Sequence, residues 1–270
     1  LGLAALYGIP IVVVNVQRSG PSTGAPTKGS QGDVQQSRWG THGDHPIIVL
    51  APSSPQECYD LTIDAFNIAD EFLTPVIILS DGNTGQMKEP VILPSIDSIP
   101  YSDRPQRPGS HITGLFSEHE TGYPTTLPAY IKDQIDLIHN RIETPEAKKR
   151  IIRTEKIYVD ESDKFEKAET LVVAYGITAR AAHEAVLIAR QQNRTRVGLL
   201  RPITLWPSDE DTLSNVLSGG SVKKIIVAEQ NSTGQYRWEI ERLAGRLSNK
   251  LQIIAPEITG LNIYDSTRIN

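Results

Sequence analysis

The stretch from Ile47 to Gly82 leaves a chain of this kind little choice of fold. Ile47 to Leu50 is a short continuous apolar run, and Ser54-Pro55-Gln56-Glu57 follows at once, a capping box with proline at the first helical position. Leu61, Ala65, Ile68 and Phe72 then recur at helical spacing. Thr74-Pro75 stops the helix, and Val76 to Leu79 is a second apolar run ending at Ser80-Asp81-Gly82. Strand, helix and strand with connections this tight make a parallel sheet covered by helices. An earlier β-branched run, Ile11 to Val16 after Pro10, reads as a strand of the same sheet buried on both faces.

A second α/β unit occupies about 168 to 262. Its strands are expected at Thr170–Ala174, Val197–Leu200, Lys224–Val227 and Leu251–Ile254, with helices over 178–191, 208–217 and 234–248. Between the two units, prolines at 90, 94, 100, 105, 108, 124 and 128 exclude long helices from residues 88 to 130. A polar helix over roughly 129 to 150 follows, and Lys148-Lys149-Arg150 near its end reads as a solvated face suited to a helix C-terminus. The expected class is α/β with two parallel-sheet domains, divided as 1–87, 88–167 and 168–270. Leu1-Gly2-Leu3-Ala4-Ala5-Leu6 reads as the second half of a helix, so the first domain is expected to lack its N-terminal part.

Composition narrows the partners. The 270 residues are 39% hydrophobic and 22% charged, a core-forming globular mixture. Lys+Arg 27 against Asp+Glu 32 gives a net charge of −5, which argues against nucleic acid because phosphate binding needs a basic face. No apolar run approaches the roughly 18 residues that span a bilayer, so no membrane partner is expected. Cys58 is the single cysteine, which leaves the chain no disulfide, no Cys-ligated zinc and no iron–sulfur cluster of its own, and suits a reducing cytoplasm.

In open parallel sheets, ligands bind beyond the carboxyl ends of the strands. That rule points to the loops after Val16, Leu79, Ala174 and Val227. The first, Gln17 to Ser30, holds one arginine, one lysine, five hydroxyl side chains and three glycines. Such a mixture can bind carboxylate or phosphate oxygens, and it also suits an ordinary polar loop. It is not a P-loop: Gly24 and Gly29 have the right interval, but Ser30 stands where lysine is required. Asp81-Gly82-Asn83 reads as a metal-binding turn or a plain turn. His42 and His45 lack the cysteine or carboxylate pattern that would complete a metal site, so no metal ligands are assigned. Cys58 reads as a packing residue, and Gly176 as a helix cap rather than a phosphate-binding turn.

Val16-Gln17-Arg18, Gly20-Pro21-Ser22-Thr23-Gly24 and Pro26-Thr27 together resemble the signature loop of the alpha subunit of 2-oxoacid:ferredoxin oxidoreductases. The 2-oxoglutarate synthase and branched-chain types are closer than the pyruvate type. Leu50 to Pro55, Thr74 to Gly82, and Glu229-Gln230-Asn231 with Gly234-Gln235 are similar to further segments of that family, so the resemblance covers nearly the whole chain. Stretch 113–120 departs from the family's commoner His-Asp or His-Glu version.

The resemblance implies a thiamine diphosphate pyrimidine-type domain followed by a transketolase C-terminal-like domain. It implies oxidative decarboxylation of a 2-oxoacid such as 2-oxoglutarate to acyl-CoA, with coenzyme A as co-substrate and ferredoxin as electron acceptor. Arg18 and Thr27 would hold the substrate carboxylate, with Ser22 and Thr23 on the same wall. The family's activating glutamate would precede Leu1. Thiamine diphosphate and its magnesium would be shared at an interface with a beta subunit, and the iron–sulfur cluster would lie on a partner chain. Asp81-Gly82-Asn83 is then not the metal motif. Arg201-Pro202-Ile203-Thr204 resembles the family's Tyr-Pro-Ile-Thr-Pro segment but ends a second-domain strand, so the match is rejected. Two alternatives stay open: a beta-type subunit of a thiamine-dependent 2-oxoacid dehydrogenase, and a non-catalytic domain of this fold.

Overall fold

The computed structural model describes residues 1–99, 101–102, 113–118, 121–160, 166–251 and 254–262. Pro10 follows a short opening helix, α1 (Gly2–Tyr7), and the chain then enters β1 (Val12–Ser19). The chain turns straight back through β2 (Ala25–Gly29), so the predicted loop after Val16 is largely a β-hairpin. Next come α2 (Val34–Trp39), β3 (Ile48–Leu50), α3 (Pro55–Phe72), β4 (Val76–Asp81) and α4 (Gly82–Gln86). At the start of α3, Ser54 Oγ accepts a hydrogen bond from Glu57 N at 3.1 Å, as the capping box requires. The returning arm of the box is altered: Glu57 accepts from Ser53 N at 2.8 Å and Ser53 Oγ at 3.0 Å.

The polar helix expected over 129–150 is two helices, α5 (Pro128–Glu143) and α6 (Pro145–Ile151). Pro145 cannot supply an N–H to the preceding turn, and Thr144 instead caps the new helix by accepting from Ala147 N at 3.3 Å. The basic end of α6 is also not purely solvated, because Arg150 pairs with Asp64 at 2.7 Å and with Glu71 at 3.2 Å on α3. The remaining elements are β5 (Thr154–Ile157), β6 (Thr170–Ala174), α7 (Gly176–Asn193), β7 (Val197–Pro202), β8 (Thr204–Trp206), α8 (Glu210–Ser218), β9 (Lys224–Glu229), α9 (Gln235–Leu251) and β10 (Glu257–Asn262). The strand expected at Leu251–Ile254 therefore lies further on. Leu251 closes α9, whose apolar stripe of Tyr236, Ile240, Leu243, Ala244 and Leu247 carries the helix past the predicted stop. Residues 252 and 253 lie outside the described ones.

Both sheets are parallel in the middle and antiparallel at an edge. The first has the order β2-β1-β4-β3-β8, with β2 and β8 antiparallel; the second has the order β10-β9-β6-β7-β5, with β5 antiparallel. Strand β8 is the unexpected one. It leaves the second sheet after Pro202 and joins the first, pairing Val49 with Trp206 and Leu50 with Thr204.

The two sheets share one core. Ile47, Val49, Ile77 and Leu79 of the first sheet cluster with Leu171, Val173, Ile225 and Val227 of the second, along with Leu205, Trp206 and the buried faces of α8 and α9. The opposite face of the first sheet packs Ile48, Leu50, Val76 and Ile78 against Leu61, Ala65 and Ile68 of α3, and Ile142 and Ile151 beyond. That cover does not reach all of β1. Val14 and Val16 are 57% and 51% exposed, so the expectation of a strand buried on both faces fails for its outer side.

Candidate functional site

The strand order brings together the four carboxyl-end loops that the sequence singles out. In the first sheet β1 and β4 are neighbours, so the hairpin and the Asp81-Gly82-Asn83 turn emerge side by side. In the second sheet β6 lies between β9 and β7, which makes the gap between β6 and β9 the point where the direction of winding reverses. The turns there are Tyr175-Gly176 and Gln230-Asn231. All four loops meet where the two sheets face one another.

The hairpin carries the predicted substrate residues. Alternation along β1 places Arg18 on the exposed outer side with Val14 and Val16, while Gln17 points inward and is buried. Pairing is irregular: Arg18 faces Gly29, yet Ser19 faces Ala25, so Pro26, Thr27 and Lys28 bulge out opposite one step of β1. Thr27, in the middle of this bulge, and Arg18, whose ladder partner is Gly29, are both exposed. Ser22 and Thr23 lie at the exposed tip, which contains a cis Gly20-Pro21 bond. Gly24 has φ +51°, and a Cβ there would stand 2.0 Å from Ser19 O, so this turn closes only with glycine.

The hairpin base is fixed from within. Gln17 Nε2 donates to Ser80 O at 3.2 Å, and Gln17 Oε1 accepts from Asp33 N at 3.0 Å. Gly29 lies so close to Asn83 that a Cβ would come within 2.6 Å of the Asn83 amide, which makes the Asp81-Gly82-Asn83 turn a seat for the hairpin. The Asp81 carboxylate accepts from Asn83 N and Thr84 N at 2.9 Å, from Thr84 Oγ1 at 3.0 Å, and from the Ile177 N–H at the start of α7. Burial pushes its carboxyl above the usual range in spite of these donors. Glu229 fills the same role at α9, accepting from Tyr236 N at 3.0 Å and Arg237 N at 3.1 Å, and burial raises it too. The starts of α4, α7 and α9 are thus already bonded to carboxylates of this chain.

The other sequence candidates are structural. Cys58 lies 3.9 Å from Ser80 Oγ, and burial raises its thiol pKa, as suits a packing residue. His45 bonds to Thr41 Oγ1 at 2.6 Å and Pro46 O at 3.0 Å. Among the described residues, no group of three or more His, Cys, Asp and Glu side chains is placed to hold a metal. Arg201 pairs with Glu57 and, at 2.9 Å, with Glu155, so its segment is a structural strap. Of stretch 113–120, His119 and Glu120 lie outside the described residues. No described helix is long and apolar enough to cross a membrane. Sequence reasoning missed Gln31, which is fully buried between the sheets. No local pattern marks an amide in a polar loop whose partners lie 144 to 200 residues away.

The chain is similar in sequence and fold to known proteins. Residues 1–156 match the family model described as pyruvate flavodoxin/ferredoxin oxidoreductase, thiamine diP-bdg, and residues 168–263 match pyruvate:ferredoxin oxidoreductase core domain II. The 2-oxoglutarate synthase subunit KorA of Methanocaldococcus jannaschii is 38% identical over 265 residues, covering 90% of this chain and 68% of the relative. The ketoisovalerate oxidoreductase subunit VorB of Methanothermobacter thermautotrophicus is 34% identical over 254 residues, covering 90% and 66%. A solved 2-oxoglutarate:ferredoxin oxidoreductase from Magnetococcus marinus, with 2-oxoglutarate, coenzyme A and succinyl-CoA bound, superposes with a TM-score of 0.72 at 26% identity. That match covers 97% of this chain and 47% of the solved one, so the chain spans about two thirds of its curated relatives and about half of the solved chain. The chain belongs to the 2-oxoacid:ferredoxin oxidoreductase family, among the alpha subunits of the 2-oxoglutarate synthase type.

Proposed function

We propose that this chain supplies the wall that grips the substrate carboxylate in an oxidative decarboxylation of 2-oxoglutarate or a related 2-oxoacid to acyl-CoA, with ferredoxin accepting the electrons. The observation that supports the reading is the bulged hairpin: Arg18, next to last in β1, pairs with Gly29, two residues along β2 from Thr27, and both side chains are exposed. A guanidinium fork can hold a carboxylate in one plane through two N–H donors, and the Thr27 hydroxyl can donate to a remaining lone pair. Ser22 and Thr23 extend the same wall at the tip. Fixing the carboxylate orients the adjacent keto carbon and the bond that breaks when carbon dioxide leaves.

The diphosphate–magnesium end of thiamine diphosphate does not fit the described residues of this chain. Asp81 spends its lone pairs on four backbone and hydroxyl donors, and the start of α9 is filled by Glu229. That end of the cofactor belongs, in this reading, to a beta subunit, and the iron–sulfur cluster to a partner chain. Val14 and Val16 lie exposed on the Arg18 side of β1, an apolar surface suited to cover by such a subunit. A reducing cytoplasm suits the lone half-buried Cys58 and an iron–sulfur partner.

The test is Arg18→Ala in the complex assembled with its partner subunits, read as 2-oxoglutarate-dependent ferredoxin reduction. Removing a bidentate charged contact should cost about 3–4 kcal/mol, a fall in kcat/KM of roughly 10²- to 10³-fold, with the complex still assembled. Arg18→Lys should recover only part, since a point charge cannot replace the planar fork. Wild-type kcat/KM in Arg18→Ala would overturn the reading.

A further inference from the structure

The gap between β6 and β9 is where an open α/β sheet ordinarily takes a ligand. Here it holds a side chain from the other half of the protein. Gln31 Nε2 donates to Tyr175 O at 2.9 Å, and Gln31 Oε1 accepts from Thr178 Oγ1 at 2.7 Å and Gln230 N at 3.0 Å. Its main chain is held as fully: Gln31 N donates to Gln230 O at 2.8 Å, and Gln31 O accepts from Asn231 Nδ2 at 3.0 Å and Tyr175 OH at 3.4 Å. The neighbouring Ser30 Oγ donates to Gln230 O at 2.8 Å. These partners lie on both strand ends that flank the gap. In a dry interior such a network is satisfied in only one arrangement, so it fixes the segment's position as well as its attachment.

The segment it fixes is the base of the substrate hairpin. Gly29, two residues before Gln31, is the ladder partner of Arg18. From the Gln31 amide to the Arg18 main chain the path is therefore two peptide units and one strand pairing. On the other side Gln17, next to Arg18, is bonded to Ser80 and Asp33.

We infer that Gln31 is a positioning residue: docked in the second sheet's ligand gap, it lets the second half of the chain set the pose of Arg18 and Thr27. The inference rests on the proposed role of Arg18. It extends that reading by making substrate affinity depend on a buried amide that never touches substrate.

The experiment uses the assembled complex and measures kcat and KM for 2-oxoglutarate in Gln31→Met, Arg18→Ala and the double variant. Leu205→Val serves as a control that loosens the shared core without touching the hairpin. Gln31→Met keeps the side-chain length and removes the amide. It should raise KM by about tenfold or more, since displacement of a gripping group by an ångström can cost 10²-fold. Leu205→Val, with its own loss of thermal stability, should stay within about twofold of wild type. In the double variant the Gln31 effect should shrink to the smaller part carried by Thr27, because Arg18 is no longer present to be positioned.

Wild-type kcat/KM in Arg18→Ala overturns the substrate-wall reading, and this inference with it. A large Arg18 effect alongside a Gln31→Met KM equal to that of Leu205→Val overturns the inference alone, as do additive effects in the double variant. If Gln31→Met does not assemble, Thr178→Val removes one of the two donors to Gln31 Oε1. It should raise KM in the same direction by a smaller factor, and an unchanged KM there counts against the inference.

Discussion

Replacing Leu205 with alanine is expected to weaken both sheets at once. Leu205 is fully buried in β8, the strand that belongs to the second half of the chain by sequence and to the first sheet by pairing. Its cluster draws Val49, Ile77 and Leu79 from one sheet and Leu171, Val173 and Val227 from the other. A Leu→Ala change at such a site costs the transfer free energy of the lost carbons plus the cavity they leave, together about 3–4 kcal/mol. Against a typical total of about 5–15 kcal/mol this is a large fraction, and for a chain of this size it corresponds to a fall in melting temperature on the order of 10 °C.

The assay is native-state hydrogen exchange on the slowest amides of β4, Ile77 to Leu79, and of β6, Val172 and Val173. These exchange by global opening, so a loss of about 3 kcal/mol speeds each by roughly 10²-fold. The expected result is the same factor in both strands and a single denaturation transition. Faster exchange in β4 with β6 unchanged would refute the argument, because it would mean that the two sheets open independently and the common cluster couples nothing.

Two further outcomes follow from the site and its supports. Glu57→Gln should cost about 2–3 kcal/mol at pH 7 by urea unfolding, because it strips one partner from the buried Arg201 guanidinium and leaves only Glu155. Burial pushes the Glu57 carboxyl up, but the bonds from Arg201 and Ser53 outweigh it and hold it below its ordinary value. A depressed carboxyl adds stability above the ordinary carboxylate pKa of about 4.3 and loses it as pH falls through the folded value. Wild type should thus lose this stability in acid while the variant does not; an equal loss in both would contradict it. Gly24→Ala forces a Cβ against Ser19 O at φ +51°, so the tip must rebuild. KM for 2-oxoglutarate should rise more than tenfold while the exposed turn costs only about 1–2 kcal/mol of stability; an unchanged KM would show that the tip shape does not matter.

What could be read in the sequence depended on how far away the deciding partner lay. The capping box at Ser54, the helix from Pro55 and the apolar runs at 47–50 and 76–79 are settled by residues a few positions apart, and they stand as expected. The four strand-end loops were legible for the same reason, since each follows its own strand. Strand β2 was hidden because Pro26 and the bulge disguise its pairing with β1. Strand β8 was hidden because three residues after a proline carry no period of their own and become a strand only against β3. The exposed side of β1 was missed since Val14 and Val16 look like any buried β-branched pair. Arg18 and Thr27 are candidates through the resemblance of their loop to a family, since its composition alone equally suits an ordinary polar loop. Gln31, with no such local signal, needed the fold.

The late arrival of β8 has a consequence for how the protein is made. Ile48, Val49 and Leu50 are all fully buried, and the outer edge of β3 is closed only when residues 204–206 pair with it. During synthesis, the chain from β3 to β7 has to emerge while that apolar strand still offers unpaired N–H and C=O groups. The first sheet thus stays an open template over more than half the length of the chain, in the kind of long-range pairing that folds slowly and invites edge-to-edge association. A nascent chain stalled before Thr204 would present a sticky edge, and the emergence of residues 204–206 is what seals it.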